Sequence, residues 1–330
     1  MSDPNSSLPS AFHFIIKGMP GLQDYYSTLF FIFLLLFLAT ILGNLLIVVL
    51  VSLDPRLHTP MYFFLWNLAL LDVLLTTTVI PKMLAVLLGH NRTISFAGCF
   101  LQMYLFISFG ATETFLVAAM AYDRYVAVVK PLHYNSIIST KVCFTMTATV
   151  WAVGFLVPMV SVALASSVPY CTSNHVLHVV CDYTTVVSLS CTDVTAQVNF
   201  ALLLAMVVVC MPFLFVLWSY CRIIISVVKM KTVESRKKAF SMCSTHVVVV
   251  VLYYVSTAME YISLRVDSSP HDGHIFIGGL NYFITPLVNP IIYSLRNEKI
   301  KAAAQRYFCR RFCSLSSLRT SFAIPPCPCV

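Results

Sequence analysis

The sequence predicts an all-α membrane protein: a bundle of seven transmembrane helices with the N-terminus extracellular, the C-terminus cytosolic and a short interfacial helix after the seventh span. Three observations predict it. Of 330 residues, 59% are hydrophobic and only 10% charged, with mean hydropathy +0.85, whereas a soluble domain carries about 25% charged residues. So apolar a chain lacks the polar surface to cover a soluble core, which excludes a soluble enzyme, a coiled coil and a disordered protein. The apolar residues gather into runs long enough to cross a bilayer, and the basic residues fall unequally between those runs.

The clearest run is Leu29–Val51, interrupted only by Thr40, Gly43 and Asn44. At about 1.5 Å per residue it crosses a hydrocarbon core of roughly 30 Å. Further runs follow at 60–88, 97–122, 142–165, 194–221, 245–264 and 275–295. None shows the alternating pattern of an outer-membrane barrel strand, so all seven are helices. The chain divides into an extracellular tail at 1–28, a transmembrane domain at 29–296 and a cytosolic tail at 297–330 that carries the interfacial helix.

Orientation follows from Lys and Arg. Lys17, Lys82, Arg92 and Arg265 lie on the N-terminal side, and the other 17 of the 21 lie opposite. Basic residues accumulate on the cytosolic side, so the N-terminus is outside. The net charge of +8 is thereby a topology signal and calls for no nucleic-acid partner; the partner it implies is the lipid membrane. The first 28 residues lack the apolar core of a cleavable signal peptide, and the first span is expected to act as its own insertion signal. Asn5-Ser6-Ser7 is an outer-side glycosylation sequon, and Asn91-Arg92-Thr93 is a second, close to the membrane.

Of twelve cysteines, Cys99, Cys171, Cys181 and Cys191 face the oxidising side. They allow two disulfides in three pairings, and a bond to Cys99 would hold the 166–193 loop over the bundle as a lid. Cys143, Cys210, Cys221 and Cys243 read as packing residues. Cys309 and Cys313 sit in a basic amphipathic stretch suited to palmitoylation at the interface. The last four residues formally fit a prenylation box, but its internal proline favours an unmodified tail.

Ionisable and amide groups at membrane depth are costly and mark function. Asn44, Asp72, Glu113, Glu260, Asn289 and the Asp123-Arg124-Tyr125 triplet stand out. Asp72 and Glu113 facing one interior would hold a cation or share a proton, or else hydrogen-bond their neighbours. Asp123 would neutralise Arg124 until a partner displaces it; the simpler reading of Arg124 is a positive anchor. Pro60, Pro81, Pro158, Pro212, Pro286 and Pro290 are expected to kink their helices and leave room for a cavity.

These residues lie within a recognisable series. Gly43-Asn44, Pro60-Met61-Tyr62-Phe63-Phe64-Leu65, Met120-Ala121-Tyr122-Asp123-Arg124-Tyr125-Val126-Ala127 and Pro131-Leu132-His133-Tyr134 resemble vertebrate odorant receptors. So do Ser219-Tyr220, Lys238-Ala239-Phe240-Ser241 with Cys243-Ser244 and His246, and Pro286-Leu287-Val288-Asn289-Pro290-Ile291-Ile292-Tyr293-Ser294-Leu295-Arg296-Asn297. In this order, from the first span to the tail, the set is specific for that rhodopsin-like, G-protein-coupled and non-enzymatic family.

The resemblance implies roles. It implies disulfides Cys99–Cys181 and Cys171–Cys191, and a sodium pocket of Asn44, Asp72, Glu113 and Asn289 for a structural Na⁺. It implies a switch in which Asp123, Arg124, Tyr125, Tyr220, Lys238, His246, Asn289, Pro290 and Tyr293 rearrange to admit a heterotrimeric G protein of the stimulatory olfactory type, raising cAMP. It also implies a small-molecule odorant pocket among spans three, five and six, lined by Met103, Phe106, Ile107, Gly110, Ala111, Leu204, Ala205, Val208, Tyr254, Thr257, Ala258 and Tyr261. The chain departs from the family pattern at Val129, Met242, Thr245 and Val255, and the span-six changes bear on basal activity rather than on family membership.

That lining is mostly apolar and suits a small hydrophobic ligand. Burying about 200 Å² gives roughly 5 kcal/mol before association costs, hence micromolar to millimolar affinity. Arg265, a turn outward of Tyr261, would bind an acidic ligand or be neutralised by Glu260, Asp267 or Asp272. His175, His178, Cys181 and Asp182 raise a metal site, which a disulfide at Cys181 would preclude.

Rival classes fare worse. A retinal pump needs a lysine in the last span, and Gly273–Leu295 has none. A transporter is expected to show repeated halves, which are absent here, and no zinc-protease or serine-hydrolase motif occurs. A non-olfactory chemoreceptor of the same rhodopsin-like type is the alternative, with a seven-helix transporter behind it. No acid sits at Phe106 or its immediate neighbours Leu105 and Ile107, which disfavours an aminergic pocket.

Overall fold

In the computed structural model, residues 13–89, 92–171, 173–263 and 271–316 are described. Seven long helices form the bundle: α1 (Tyr26–Leu53), α2 (Pro60–Leu87), α3 (Phe96–Val129), α5 (Thr140–Ser166), α7 (Thr195–Val228), α8 (Val233–Ser263) and α9 (His271–Arg296). Short helices α4 (Tyr134–Ile137) and α6 (Tyr183–Val187) lie in loops, and α10 (Glu298–Ser316) follows the seventh span. Among the described residues, six of the long helices are long and apolar enough to cross a membrane on those criteria alone. The seventh, α9, is 26 residues long.

Exposure separates lipid-facing helices from central ones. Phe31, Leu35 and Leu42 on α1 and Leu203 and Met211 on α7 are each more than 60% exposed, which water would penalise and lipid does not. Helix α3 instead buries residues along its whole length, from Cys99 to Val128. Polar side chains in the spans mostly turn back on their own helix: Thr40, Thr76, Thr112 and Thr114 donate to carbonyls four residues earlier, as bilayer depth demands.

Several helices run past the apolar stretches. Helix α8 begins at Val233 rather than near 245: residues 233–242, which carry Glu234, Arg236, Lys237 and Lys238 and are exposed except at Ala239, continue the helix past the apolar stretch. Helix α3 likewise carries on to Val129 and α7 to Val228. Pro60 does not kink a helix; it occupies the first turn of α2, where its missing N–H costs nothing. Pro81, Pro158, Pro212, Pro286 and Pro290 do lie inside helices.

At the end named outer after the charge asymmetry, the tail preceding α1 joins the lid. Strand β1 (His13–Ile16) lies between β2 (Thr93–Ser95) and β3 (His175–Val176), antiparallel to the first and parallel to the second, with Phe14 opposite Ile94 and Ile16 opposite Val176. Phe14 and Ile16 are fully buried, and the Phe14 ring meets Phe96, Phe100 and Tyr170 at 5.6–6.5 Å between centroids. Gly18, at φ +73°, then turns the chain. The expectation of a plain extracellular tail missed this strand.

Both outer disulfides form as the resemblance implies, Cys99–Cys181 with Cα atoms 5.5 Å apart and Cys171–Cys191 at 5.7 Å. Gln102 reinforces the first: its Nε2 donates to Thr78 O at 3.0 Å and its Oε1 accepts from Cys181 N at 3.2 Å. The loop is thus fixed to α2 and α3 together.

Candidate functional site

Under this lid lies a cavity of about 280 Å³. Helix α3 supplies Phe106, Ile107, Gly110, Ala111, Glu113 and Thr114; α7 supplies Val198, Ala201, Leu202, Leu204, Ala205, Val208 and Val209; α8 supplies Tyr253, Ser256 and Thr257. The structure therefore brings together eight of the residues expected to line a pocket: Phe106, Ile107, Gly110, Ala111, Leu204, Ala205, Val208 and Thr257. Gly110 opens directly onto it, since a Cβ built there would meet nothing within 4 Å.

Four expected residues are not on the wall described. Met103 is 1% exposed, packed beside Cys99, Phe100 and Phe14 beneath the lid. Tyr254 turns away, its ring 4.8 Å from that of Phe213; Tyr253, about 100° round the helix, takes the inward place. Ala258 is exposed on the outside of α8. The side chain of Tyr261 lies outside the described residues, as do the side chain of Glu260 and residues Asn5, Asn91 and Arg265.

Other lining residues were not foreseen. Val157, Pro158 and Ser161 come from α5, Leu75 from α2, Tyr282, Thr285 and Pro286 from α9, and Asp182, Tyr183 and Thr184 from the lid. The polar triplet Tyr253, Ser256 and Thr257, at helical spacing after the apolar run Val247–Leu252, is a signal present in the sequence. Thr257 donates to Tyr253 O at 2.8 Å, Tyr253 Oη donates to Gly110 O at 3.4 Å and shares a short hydrogen bond with Thr114, and Ser256 lies 3.4 Å from the Thr285 hydroxyl. These bonds tie α3, α8 and α9 around the chamber.

Asp182 caps α6 from the roof. Its Oδ2 accepts from Thr184 Oγ1, Thr185 N and Thr185 Oγ1 at 2.5, 3.0 and 3.2 Å. Burial pushes this carboxyl up, but the His178 charge and these hydrogen bonds outweigh it and hold it below the usual carboxylate range. Cys181, being in the disulfide, offers no thiolate to a metal beside it.

Below the cavity the expected polar residues converge. Asn289 Nδ2 donates to Asp72 Oδ2 at 3.0 Å, and Asn44 Nδ2 donates to Pro286 O at 2.8 Å and Thr40 O at 3.0 Å. Asn44 Oδ1, Asp72 Oδ1 and Glu113 Oε1 are buried without a hydrogen-bond partner. Three orphaned oxygens, two of them carboxylate, are a donor set that suits a hard cation such as Na⁺. Gly43 lets α1 approach here, since a Cβ on it would come within 3.1 Å of Pro290.

At the cytosolic end Arg124 Nη2 donates to Asp123 Oδ2 at 2.6 Å, and Tyr134 Oη donates to the other oxygen of Asp123 at 2.6 Å. Tyr125 is buried beside Trp218, with ring centroids 5.1 Å apart. Tyr220 Oη and His246 Nδ1 are 2.5 Å apart, linking α7 to α8. Ser219 Oγ, His246 Nε2 and Tyr293 Oη are buried without a partner. Lys238 is exposed on the extension of α8. Pro290 lies within α9, three residues before Tyr293.

Seven helices, a disulfide-tied lid over a cavity and a buried Asp-Arg pair at the opposite end define a multi-pass membrane protein with a closed site at one end. A sequence model of the olfactory receptor family matches residues 33–311. The chain is 44% identical to human olfactory receptor 2AT4 over 300 residues, covering 91% of this chain and 93% of that one. It is 42% identical to human olfactory receptor 6N1 over 293 residues (89% and 94%), and 39% identical to mouse olfactory receptor 1M1 over 310 residues (93% and 98%). The chain belongs to the olfactory receptor family, whose members are receptors and not enzymes.

Proposed function

We propose that the protein is an odorant receptor of the plasma membrane that binds small, mainly hydrophobic organic molecules in the 280 Å³ cavity and activates a stimulatory, olfactory-type G protein to raise cAMP. The observation that carries this reading is the cavity itself. It is roofed by the lid, walled by α3, α7 and α8, and joined through Tyr253 and Thr114 to the helices whose inner ends hold the switch.

A ligand filling this space favours one of two packings of the bundle. In the packing described, Asp123 holds Arg124, and Tyr220 holds His246. An outward swing of α8 separates Tyr220 from His246 and uncovers Arg124, with Lys229–Lys238 at the rim, for the G protein. Asn44, Asp72 and Glu113, with Asn289 bracing Asp72, are the residues that would hold Na⁺. A sodium ion, when bound, supplies the positive charge that buried carboxylates require.

The test is a cAMP reporter assay on cells that display the receptor, against a panel of odorants. Wild type is expected to respond to some of them and Arg124→Ala to none at equal surface display. A wild type that reaches the surface and never raises cAMP contradicts the coupling.

A further inference from the structure

Glu113 belongs both to the polar cluster below the cavity and to the cavity wall. Helix α3 runs inward, so Glu113 lies about one turn deeper than Gly110, and it lines the cavity together with Leu75, Thr285 and Pro286. It is 5% exposed, and its Oε1 has no hydrogen-bond partner. Among the described lining residues it is the one with a buried, unpartnered side-chain oxygen. The others around it are engaged: Thr114 bonds Gly110 O and Tyr253, Ser256 bonds Leu252 O, and the roof carboxylate of Asp182 already accepts three donors.

The ionisable residues on the wall are acids, and the one at the roof, Asp182, already has the His178 charge beside it. Two acids, Glu113 and Asp182, line the cavity, and among the described lining residues none is Lys, Arg or His. Directly under the floor, one helical turn beyond Leu75, Asp72 presents a second unpartnered carboxylate oxygen. A buried carboxyl oxygen without a donor is costly, and a charged donor that enters the chamber offsets part of that cost.

We propose that this cavity takes small alkylammonium ions, with the protonated nitrogen donating to Glu113 at the floor and the alkyl chain among Phe106, Ile107, Ala205 and Val208. The inference rests on the cavity being the ligand site, and it names the chemical class that site selects. The amine is anchored at the deep end, next to the oxygens suited to Na⁺, so amine and sodium compete.

The experiment uses the purified full-length receptor in nanodiscs at neutral pH, with melting temperature as the readout. n-Hexylamine is compared with 1-hexanol, in sodium chloride and in N-methyl-D-glucamine chloride at equal ionic strength. The expected result is stabilisation by hexylamine well beyond that by hexanol in the sodium-free buffer. Sodium present at about ten times its own dissociation constant moves the amine titration about tenfold to higher concentration. In Glu113→Gln the amine no longer stabilises more than hexanol does.

Equal stabilisation by the amine and the alcohol, no effect of the amine on wild type, or an amine effect unchanged in Glu113→Gln overturns the proposal. If Glu113→Gln does not fold, the wild-type salt comparison decides: a shift equal in both salts overturns it. The two readings fail separately. A receptor whose cAMP response to a neutral odorant is lost in Gly110→Leu, yet which shows no amine preference, loses only this inference. One whose response survives Gly110→Leu loses the ligand site.

Discussion

Gly154 on α5 faces Thr112 on α3 so closely that a Cβ built on it would lie 2.0 Å from Thr112 Oγ1 and 2.9 Å from Thr112 Cα. Small residues set the distance between membrane helices in this way. Gly154→Ala must therefore separate α3 from α5. Overpacking of this kind costs about 1–3 kcal/mol, so the variant is expected to melt several degrees lower and to reach the cell surface poorly. Thr112→Ala removes the hydroxyl contact but not the backbone one, and its addition should restore only part of the loss. Unchanged melting in Gly154→Ala would show that the two helices are not held this closely.

Gly110 gives the opposite case on the same helix. Nothing lies within 4 Å of its Cβ position, so Gly110→Leu adds a side chain to empty space. Folding and surface display are expected to survive, while odorant potency falls about tenfold or more, equivalent to at least about 1.4 kcal/mol of lost binding. Dose-response curves at matched surface display make the check.

Tyr134 holds Asp123 from outside the bundle. Burial, and then the Asp123 charge, push its phenol well above its ordinary value, so it remains a donor at every physiological pH. Hydrogen bonds to charged groups contribute about 1.5–3 kcal/mol. Tyr134→Phe frees one oxygen of Asp123, slackens its hold on Arg124 and is expected to raise ligand-free cAMP several-fold. Basal signalling equal to wild type would place the restraint elsewhere.

Arg306 on α10 donates to Asp54, in the turn after α1, at 2.6 Å. That hydrogen bond holds the Asp54 carboxyl below the usual carboxylate range. The folded value is thus lower than the unfolded one of about 3.9. The stabilisation is complete above that value and is lost as pH falls through the folded one. With both side chains partly exposed the pair contributes less than about 1 kcal/mol. Asp54→Asn should lower the melting temperature slightly at neutral pH, with the gap to wild type closing below about pH 4. A gap that persists in acid would mean the ion pair is not its cause.

The sequence made the spans legible because burial in lipid demands continuous apolar runs, and the side of each cysteine because basic residues mark the opposite face. It could not show where helices outlast the bilayer, as α8 does from Val233, since helix continues in water without an apolar signature. Nor could it show β1. His13–Ile16 pairs with residues 93–95 and 175–176, and such long-range partners leave no local period. Tyr253 and Tyr254 differ by a rotation of one residue, which family spacing cannot resolve but the Tyr253, Ser256, Thr257 stripe can. The wall from the lid has no local signature because Thr184 is brought there by the Cys99–Cys181 bond, between residues 82 apart in sequence.

The most direct measurement is an experimental density map of the receptor bound to an odorant that activates it. Ligand density is expected under the lid, bounded by Gly110, Ala205 and Thr257, with Tyr253 beside it. Density for the activating odorant at another site, with this cavity left empty, would contradict that expectation.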